Sequence, residues 1–346
     1  MAEADSKRLG PVRKWGILLA TVVALAAGLI GLPTTQSAGH PVHRMSDQQS
    51  PATVHPLSGA LSLTHQTAAD TSPYAQLVPP DAPGISAASA YLMDARTGEI
   101  FYSNNALNEV AMASTTKIMT AIVAMTFGKP DQMITIHQDA VAEQNGENSV
   151  AGLQLGDTLT LHDLLYALML PSGDDAAVAI ADGVAGSEAN FVRMMNLEAA
   201  LLGLVHTHYV NVHGLDAPDH YTTVGDLAHV ARIAMNFPLF AAIVKTPVYG
   251  TKTTLHGQYT WNTTNELLTQ NLYEGTIGIK TGHTGNAGYC LVFAATRNGS
   301  TLIGVLLGEQ DLSGEQRFID AKALLDWGFA REQNIALWMG AIAGRH

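Results

Sequence analysis

Ser114 and Lys117 stand three residues apart, a spacing that sets a hydroxyl and an amine on one face of a helix, about one turn from each other. A serine at a helix start also meets the positive end of the helix dipole, which favours an alkoxide-like charge. The lysine can take the serine's proton only while it is neutral. Its reference pKa is about 10.4, so the site has to lower it. Lys117 is the only charged residue between Glu109 and Lys129, and it lies inside an apolar run. Burial there would lower its proton affinity, and a second cation, Lys280, would act in the same direction. This is the logic of a nucleophile activated by an adjacent base. The same residues admit a plainer reading, with Ser114 as an N-cap and Lys117 as an exposed side chain.

Two further clusters follow. Ser172-Gly173-Asp174-Asp175 falls between two apolar helical segments and reads as the loop joining them. Ser172 could bond a leaving group and relay a proton, while Asp174 and Asp175 could equally be helix N-caps. Lys280-Thr281-Gly282-His283-Thr284-Gly285 ends a strand in glycine. Lys280 and Thr281 could hold a terminal carboxylate by charge and hydroxyl. Gly282 lets a ligand backbone come close. The His283 N–H could join that of Ser114 as an oxyanion hole. A strand end and an ordinary turn would look the same.

The elements that must position these groups are legible in outline. Ala88–Asp94 and Glu99–Tyr102, joined by Ala95-Arg96-Thr97-Gly98, read as a β-hairpin. Ser114–Phe127 is apolar nearly all round, the pattern of a helix buried at a domain centre. Further helices are expected at His162–Leu170, Ala176–Val184, Phe191–Leu202 and Val224–Asn236, and a closing one at Gln316–Phe329. Strands are expected at Ile277–Lys280, Gly288–Ala295 and Leu302–Leu307, with Asn298-Gly299 as a hairpin turn. Strands early and late with helices between imply an α+β fold, an antiparallel sheet with packed helices and an all-helical lobe.

Composition narrows the function. The 346 residues carry a net charge of −12 and are 47% hydrophobic, enough for a sizeable core and contrary to the basic face that nucleic-acid binding requires. There is no Lys/Arg-rich run, zinc-ligand spacing, GxGxxG or P-loop. The single cysteine, Cys290, excludes a disulfide within the chain and reads as a packed strand residue. Residues 1–14 carry Lys7, Arg8, Arg13 and Lys14, and Trp15–Leu32 then runs eighteen residues without a charge. A basic flank before such a run starts a signal peptide or a membrane anchor and directs the rest of the chain outward. Its helical length, about 27 Å, just spans a bilayer core, so both readings stay open. Residues 33–83, rich in Pro, Ser, Thr and Gln, read as a flexible linker. His40, His43, His55 and His65 fall there with irregular spacing and no carboxylate cluster to join them, a poor metal site. A folded domain is expected over 84–335, with a short tail at 336–346.

Together the motifs are far more specific than any one of them. S-x-x-K, then S-x-N-like, then K-T-G resembles the signature of penicillin-binding proteins and serine β-lactamases. Met112-Ala113-Ser114-Thr115-Thr116-Lys117-Ile118-Met119-Thr120, Leu170-Pro171-Ser172-Gly173-Asp174-Asp175-Ala176, Val210-Asn211-Val212-His213-Gly214-Leu215 and Trp261-Asn262-Thr263-Thr264-Asn265 look like the D-alanyl-D-alanine carboxypeptidases, the low-molecular-mass penicillin-binding proteins. The resemblance spans roughly Gly84 to Ala330. It implies a β-lactamase/DD-peptidase-like fold and an exported enzyme that trims peptidoglycan stem pentapeptides. Ser114 would form an acyl-enzyme, Lys117 would act as base, and Ser172 would assist proton transfer. Lys280 and Thr281 would bind the substrate carboxylate, and the Ser114 and His283 amides would form the oxyanion hole. β-Lactams would acylate Ser114 and stay. No metal or cofactor is expected.

Two departures stand out. The family usually has Asn where this chain has Asp174. An ionised Asp only accepts hydrogen bonds, would stabilise protonated Lys117 and would repel a carboxylate substrate. Asp174 is then protonated, or pairs with a lysine in a tuned network, or activity is reduced. Many relatives also carry a C-terminal β-rich domain and an amphipathic membrane helix. Too few residues follow Ala330 for either, which puts any membrane link at the N-terminus. The same residues would serve a DD-endopeptidase on cross-linked stems. A β-lactamase would need a deacylating Glu in an E-x-x-x-N loop, which Glu198 does not supply. A β-lactam- or peptidoglycan-binding protein with an impaired site would rest on Asp174 alone.

Overall fold

Five antiparallel strands form the sheet that carries the molecule, in the order β2-β1-β9-β8-β7. They are β1 (Ser89–Asp94), β2 (Ile100–Asn104), β7 (Thr276–Thr284), β8 (Gly288–Arg297) and β9 (Ser300–Glu309). The computed structural model describes residues 76–145 and 148–343, with side chains through 333. The basic segment, the apolar run Trp15–Leu32 and the linker up to residue 75 lie outside the described residues.

Two stretches, 89–104 and 276–309, supply the sheet, and both its faces are covered. On β8, Cys290, Val292 and Ala294 enter one core while Leu291, Phe293 and Ala295 enter the other. On β9, Ile303, Val305 and Leu307 face the first core while Leu302 and Leu306 face the second. This is the period-two alternation of a strand, with both phases apolar because neither face meets water. Phe293 lies over its register partner Gly304, where an added Cβ would come 2.1 Å from the ring. The β8–β9 turn places Asn298 and Gly299 at φ 51° and 84°, the left-handed pair that a two-residue hairpin needs.

The C-terminal helix covers the second face. Phe318, Ala321, Leu324, Leu325 and Phe329 recur at helical spacing and pack there. This helix runs Gln316–Ala343, so it passes through the expected boundary at 335 without a break. The linker expected up to residue 83 also ends sooner. Leu77 and Ser103 exchange backbone hydrogen bonds of 2.7 and 2.8 Å, which docks the chain on β2.

The helical lobe surrounds α1 (Lys117–Phe127), whose residues 117–124 are all buried. Around it lie α3 (Leu161–Met169), α4 (Asp174–Ala185), α5 (Glu188–Leu201) and α6 (Val224–Ala234), following the short α2 (Gln138–Ala142). Side-chain caps set the starts: Thr160 and Asp163 form a capping box on α3, and Ser187 and Thr223 cap α5 and α6. Elements not expected from the sequence are the hairpins β3 (Met133–Thr135)/β4 (Thr158–Thr160) and β5 (Val248–Gly250)/β6 (Thr260–Asn262), together with α7 (Pro238–Val244) and α8 (Glu266–Thr269).

Candidate active site

Ser114 does not open the α-helix. It sits in a 3₁₀ turn, Ala113–Thr116, and α1 begins at Lys117. In a 3₁₀ turn residues i and i+3 eclipse, so the hydroxyl and the amine still meet: Lys117 Nζ lies 2.8 Å from Ser114 Oγ. The bend before the serine is tight. Ala113 takes φ 48°, a conformation costing about 1–2 kcal/mol for an L-residue, and Gly214 closes on it. A Cβ on Gly214 would stand 1.9 Å from the Ala113 carbonyl oxygen, so only glycine fits.

Lys117 is fully buried and makes two more polar contacts, 2.6 Å to Asp174 Oδ1 and 2.8 Å to the His213 carbonyl. Both of these partners are acceptors. A neutral amine has two N–H groups and one lone pair, so it can donate to both and still accept from the Ser114 hydroxyl. A charged amine would donate to all three. Burial lowers its proton affinity below that of an ordinary lysine, and the charge of Asp174 opposes the shift.

Asp174 and Asp175 share the first turn of α4, where Gly173 is the N-cap, so neither acid is the cap that the sequence allowed. Asp174 turns to Lys117. Asp175 accepts from the backbone N–H groups of Ala151 (2.8 Å), Gly152 (2.9 Å) and Leu153 (3.0 Å), which fastens that loop to the helix. Trp261 continues the brace by donating Nε1–H to the Ala151 carbonyl at 2.9 Å. Ser172 just before the helix is buried at φ 67°, and its Oγ has no hydrogen-bond partner among the described residues.

The strand β7 runs beside the Ser114 turn. A Cβ on Gly282 would meet the Ser114 nitrogen and the Ala113 Cβ at 3.1 Å each, so glycine sets the closeness of this approach. Lys280 is buried and donates to the Thr281 carbonyl at 3.0 Å. Burial pushes its proton affinity well down, the charge of Lys117 adds to the effect, that of Asp174 opposes it, and Arg317 adds a little more. Thr281 Oγ1 bonds Thr264 Oγ1 at 2.5 Å, and the His283 ring stacks on Tyr289 at 4.1 Å. Cys290 is buried in the core, with its thiol pushed up to about 12 by burial, consistent with a packing role.

Several participants had no role in the reading of the sequence. The His213 carbonyl is a backbone group, invisible to residue type. The His213 ring accepts the Leu215 N–H at Nδ1 (3.2 Å) and turns Nε2 toward Glu143 and Glu188, 4.0 and 3.9 Å away. Burial, with the charge of Lys117 second, holds its pKa down at about 3, so the ring is neutral. Arg317, from the C-terminal helix, donates Nη1–H to the Gly282 carbonyl at 3.2 Å and stacks over Tyr289. Its sequence position, 35 residues beyond Gly282, offered no signal.

A family model described as D-alanyl-D-alanine carboxypeptidase matches residues 76–311. A D-alanyl-D-alanine carboxypeptidase of Streptomyces sp. strain K15 is 40% identical over 263 residues, covering 72% of this chain and 89% of the relative. The Escherichia coli K12 carboxypeptidase DacA is 36% identical over 72% of this chain and 62% of its own length. Among solved structures, the Streptomyces K15 DD-transpeptidase superposes with a TM-score of 0.66 at 38% identity, over 72% of this chain and 99% of the other. A D-alanyl-D-alanine carboxypeptidase from Mycobacterium tuberculosis H37Rv gives 0.67 at 31% identity, over 73% and 96%. The antiparallel sheet and helices thus have the architecture of these DD-peptidases.

Proposed function

This chain belongs to the D-alanyl-D-alanine carboxypeptidase family, and from that premise we propose that Ser114 is its nucleophile and Lys117 the general base. The protein is a serine-type D-Ala-D-Ala carboxypeptidase of peptidoglycan. One observation carries the assignment of roles: a fully buried amine 2.8 Å from a half-buried hydroxyl.

The Lys117 lone pair takes the Ser114 proton as Oγ attacks the carbonyl of the penultimate D-alanine. The backbone N–H groups of Ser114 and His283 receive the developing oxyanion. The C–N bond then breaks, and the proton passes to the leaving D-alanine amine through the Ser172 hydroxyl, which is free of any competing bond among the described residues. Lys280 and Thr281 hold the terminal carboxylate. Water adds to the ester and restores Ser114. β-Lactams present the same carbonyl and carboxylate and acylate Ser114. Asp174 pairs with Lys117 at 2.6 Å, which favours the tuned network over an impaired site.

The substrate lies outside the cytoplasmic membrane, so the basic segment and Trp15–Leu32 act as an export signal or an N-terminal anchor. N-terminal sequencing of the mature protein distinguishes them. A second reading has one support: the Streptomyces K15 relative is named a carboxypeptidase as a protein and a DD-transpeptidase as a structure. Both reactions share the acyl-enzyme and differ in whether water or an amine resolves it. A pentapeptide assayed with and without an amine acceptor, beside a cross-linked dimer, separates hydrolysis, transfer and endopeptidase cleavage. The decisive experiment is D-alanine release and intact mass after benzylpenicillin, in wild type and Ser114→Ala. The expected adduct maps to Ser114 and disappears in the variant. A folded wild type without adduct, or with one elsewhere, ends this assignment.

A further inference from the structure

Beneath the Ser114 turn lies a chain of hydrogen bonds that the chemistry above does not use. His220 is 5% exposed and Thr116 fully buried. The Val210 N–H donates to His220 Nδ1 at 3.1 Å. Because Nδ1 accepts, the neutral ring carries its proton on Nε2. Nε2 lies 2.9 Å from Thr116 Oγ1 and therefore donates to it. Thr116 in turn donates its hydroxyl proton to the Ala113 carbonyl at 2.8 Å. Each donor thus fixes the next, from Val210 through His220 and Thr116 to Ala113.

The last link bears on the reaction. The Ala113 carbonyl and the Ser114 N–H belong to one planar trans peptide and point in opposite directions. Fixing the carbonyl therefore aims the amide. Ala113 is the residue held at φ 48°, a conformation that surrounding structure has to impose. We propose that His220 is a positioning residue, which through Thr116 and the Ala113 carbonyl holds the Ser114 N–H toward the oxyanion of the reacting carbonyl. This rests on the reading of Ser114 as nucleophile and oxyanion donor.

The surroundings favour the neutral ring that the relay requires. Burial lowers its pKa to about 4, and His213 and His208 add to this while Asp216 opposes it. The rim of the loop is fixed independently, since His208 and Tyr221 exchange backbone hydrogen bonds of 2.9 and 3.1 Å. A substitution at position 220 therefore removes the relay more than it removes the loop.

The test compares wild type with His220→Phe, His220→Gln and the isosteric Thr116→Val. Each is assayed for benzylpenicillin acylation rate, for kcat and KM on a D-Ala-D-Ala peptide, and for the infrared carbonyl band of the acyl-enzyme. Removing an oxyanion donor outright costs about 100- to 1000-fold in kcat. Misaiming one is expected to cost roughly 10- to 100-fold in acylation rate and kcat, with little change in KM. The ester carbonyl band moves to higher frequency. Gln, which can place an N–H near the same point, recovers most of the loss. Thr116→Val reproduces the Phe effect, and the Phe/Val double variant loses no more than either alone. Wild-type acylation and an unmoved carbonyl band in folded His220→Phe or Thr116→Val would overturn the role of His220 while leaving Ser114 in place. Failure of the wild type itself to form the adduct would remove both.

Discussion

Two lysines among the described residues are withdrawn from water, and their company differs. Lys117 has a carboxylate, a carbonyl and a hydroxyl within 2.8 Å. Lys280, equally buried, donates to one carbonyl among the described residues and has no carboxylate bonded to it. Burial lowers the proton affinity of both. At Lys117 the protein supplies the counter-charge and so moderates that shift, giving an amine whose proton can come and go. At Lys280 the charge of Asp174 acts without a direct bond, and a substrate carboxylate is the group that would pair with the amine. One desolvated side chain thus suits proton transfer and the other suits anion recognition, and the partners decide which.

The contrast can be broken most severely at Lys117. Lys117→Ala removes the general base and is expected to slow acylation about 100- to 10,000-fold, measured by stopped-flow or by intact mass against time. Lys280→Met should spare the nucleophile. Loss of a charge-assisted hydrogen bond worth about 1.5–3 kcal/mol predicts a fall of roughly 10- to 100-fold in kcat/KM on a peptide with a free terminal carboxylate. An amidated peptide should show little difference between wild type and variant, and an equal loss on both peptides would refute the anion-binding role.

Asp174→Asn sharpens the comparison more gently. Without the anion, Lys117 loses proton affinity and becomes a free base at lower pH, so the acid limb of the acylation profile should move to lower pH. A limb that stays in place would mean that Asp174 does not tune Lys117.

Stability supplies the smallest and most discriminating test. The folded pKa of Lys280 lies well below the unfolded value. Between the two the unfolded chain binds the extra proton, so stability rises with pH across that window and the penalty is present at neutral pH. Lys280→Met should therefore stabilise the fold at pH 7, by an amount on the order of 1 kcal/mol, and raise the melting temperature. Lys117→Met should lower it, because Asp174 would be left buried and unpaired. Calorimetry of the two variants checks opposite signs.

The regular framework was legible because its signals are local. The apolar run from Ile118 to Ala124 announced a buried helix, and Asn298-Gly299 announced the hairpin turn. The apolar runs Gly288–Ala295 and Leu302–Leu307 announced strands, and the structure buries them on both faces. The three-residue strands β3 to β6 were not legible, since three residues hold no period. The helix expected to end at Asn236 is followed at once by another, because Pro238 serves as the first residue of α7, where a missing N–H is no loss. In the site, residue types exposed Ser114, Lys117 and Lys280. They could not separate Asp174 from Asp175, two acids in one helical turn with opposite destinations.

Sequence alone determined which side chains this protein owns and how they are spaced along the chain: a hydroxyl three residues before an amine, a lysine three residues before a histidine at a strand end. Local periodicity carried that much, because helix and strand geometry depend on neighbours. Only the tertiary structure decided the environments. It brought the His213 carbonyl from 96 residues away to Lys117, set Gly214 against Ala113, and left Lys280 with no bonded carboxylate among the described residues. Proton affinity depends on which distant groups surround a charge and how far water is excluded, and neither quantity is a property of the linear chain.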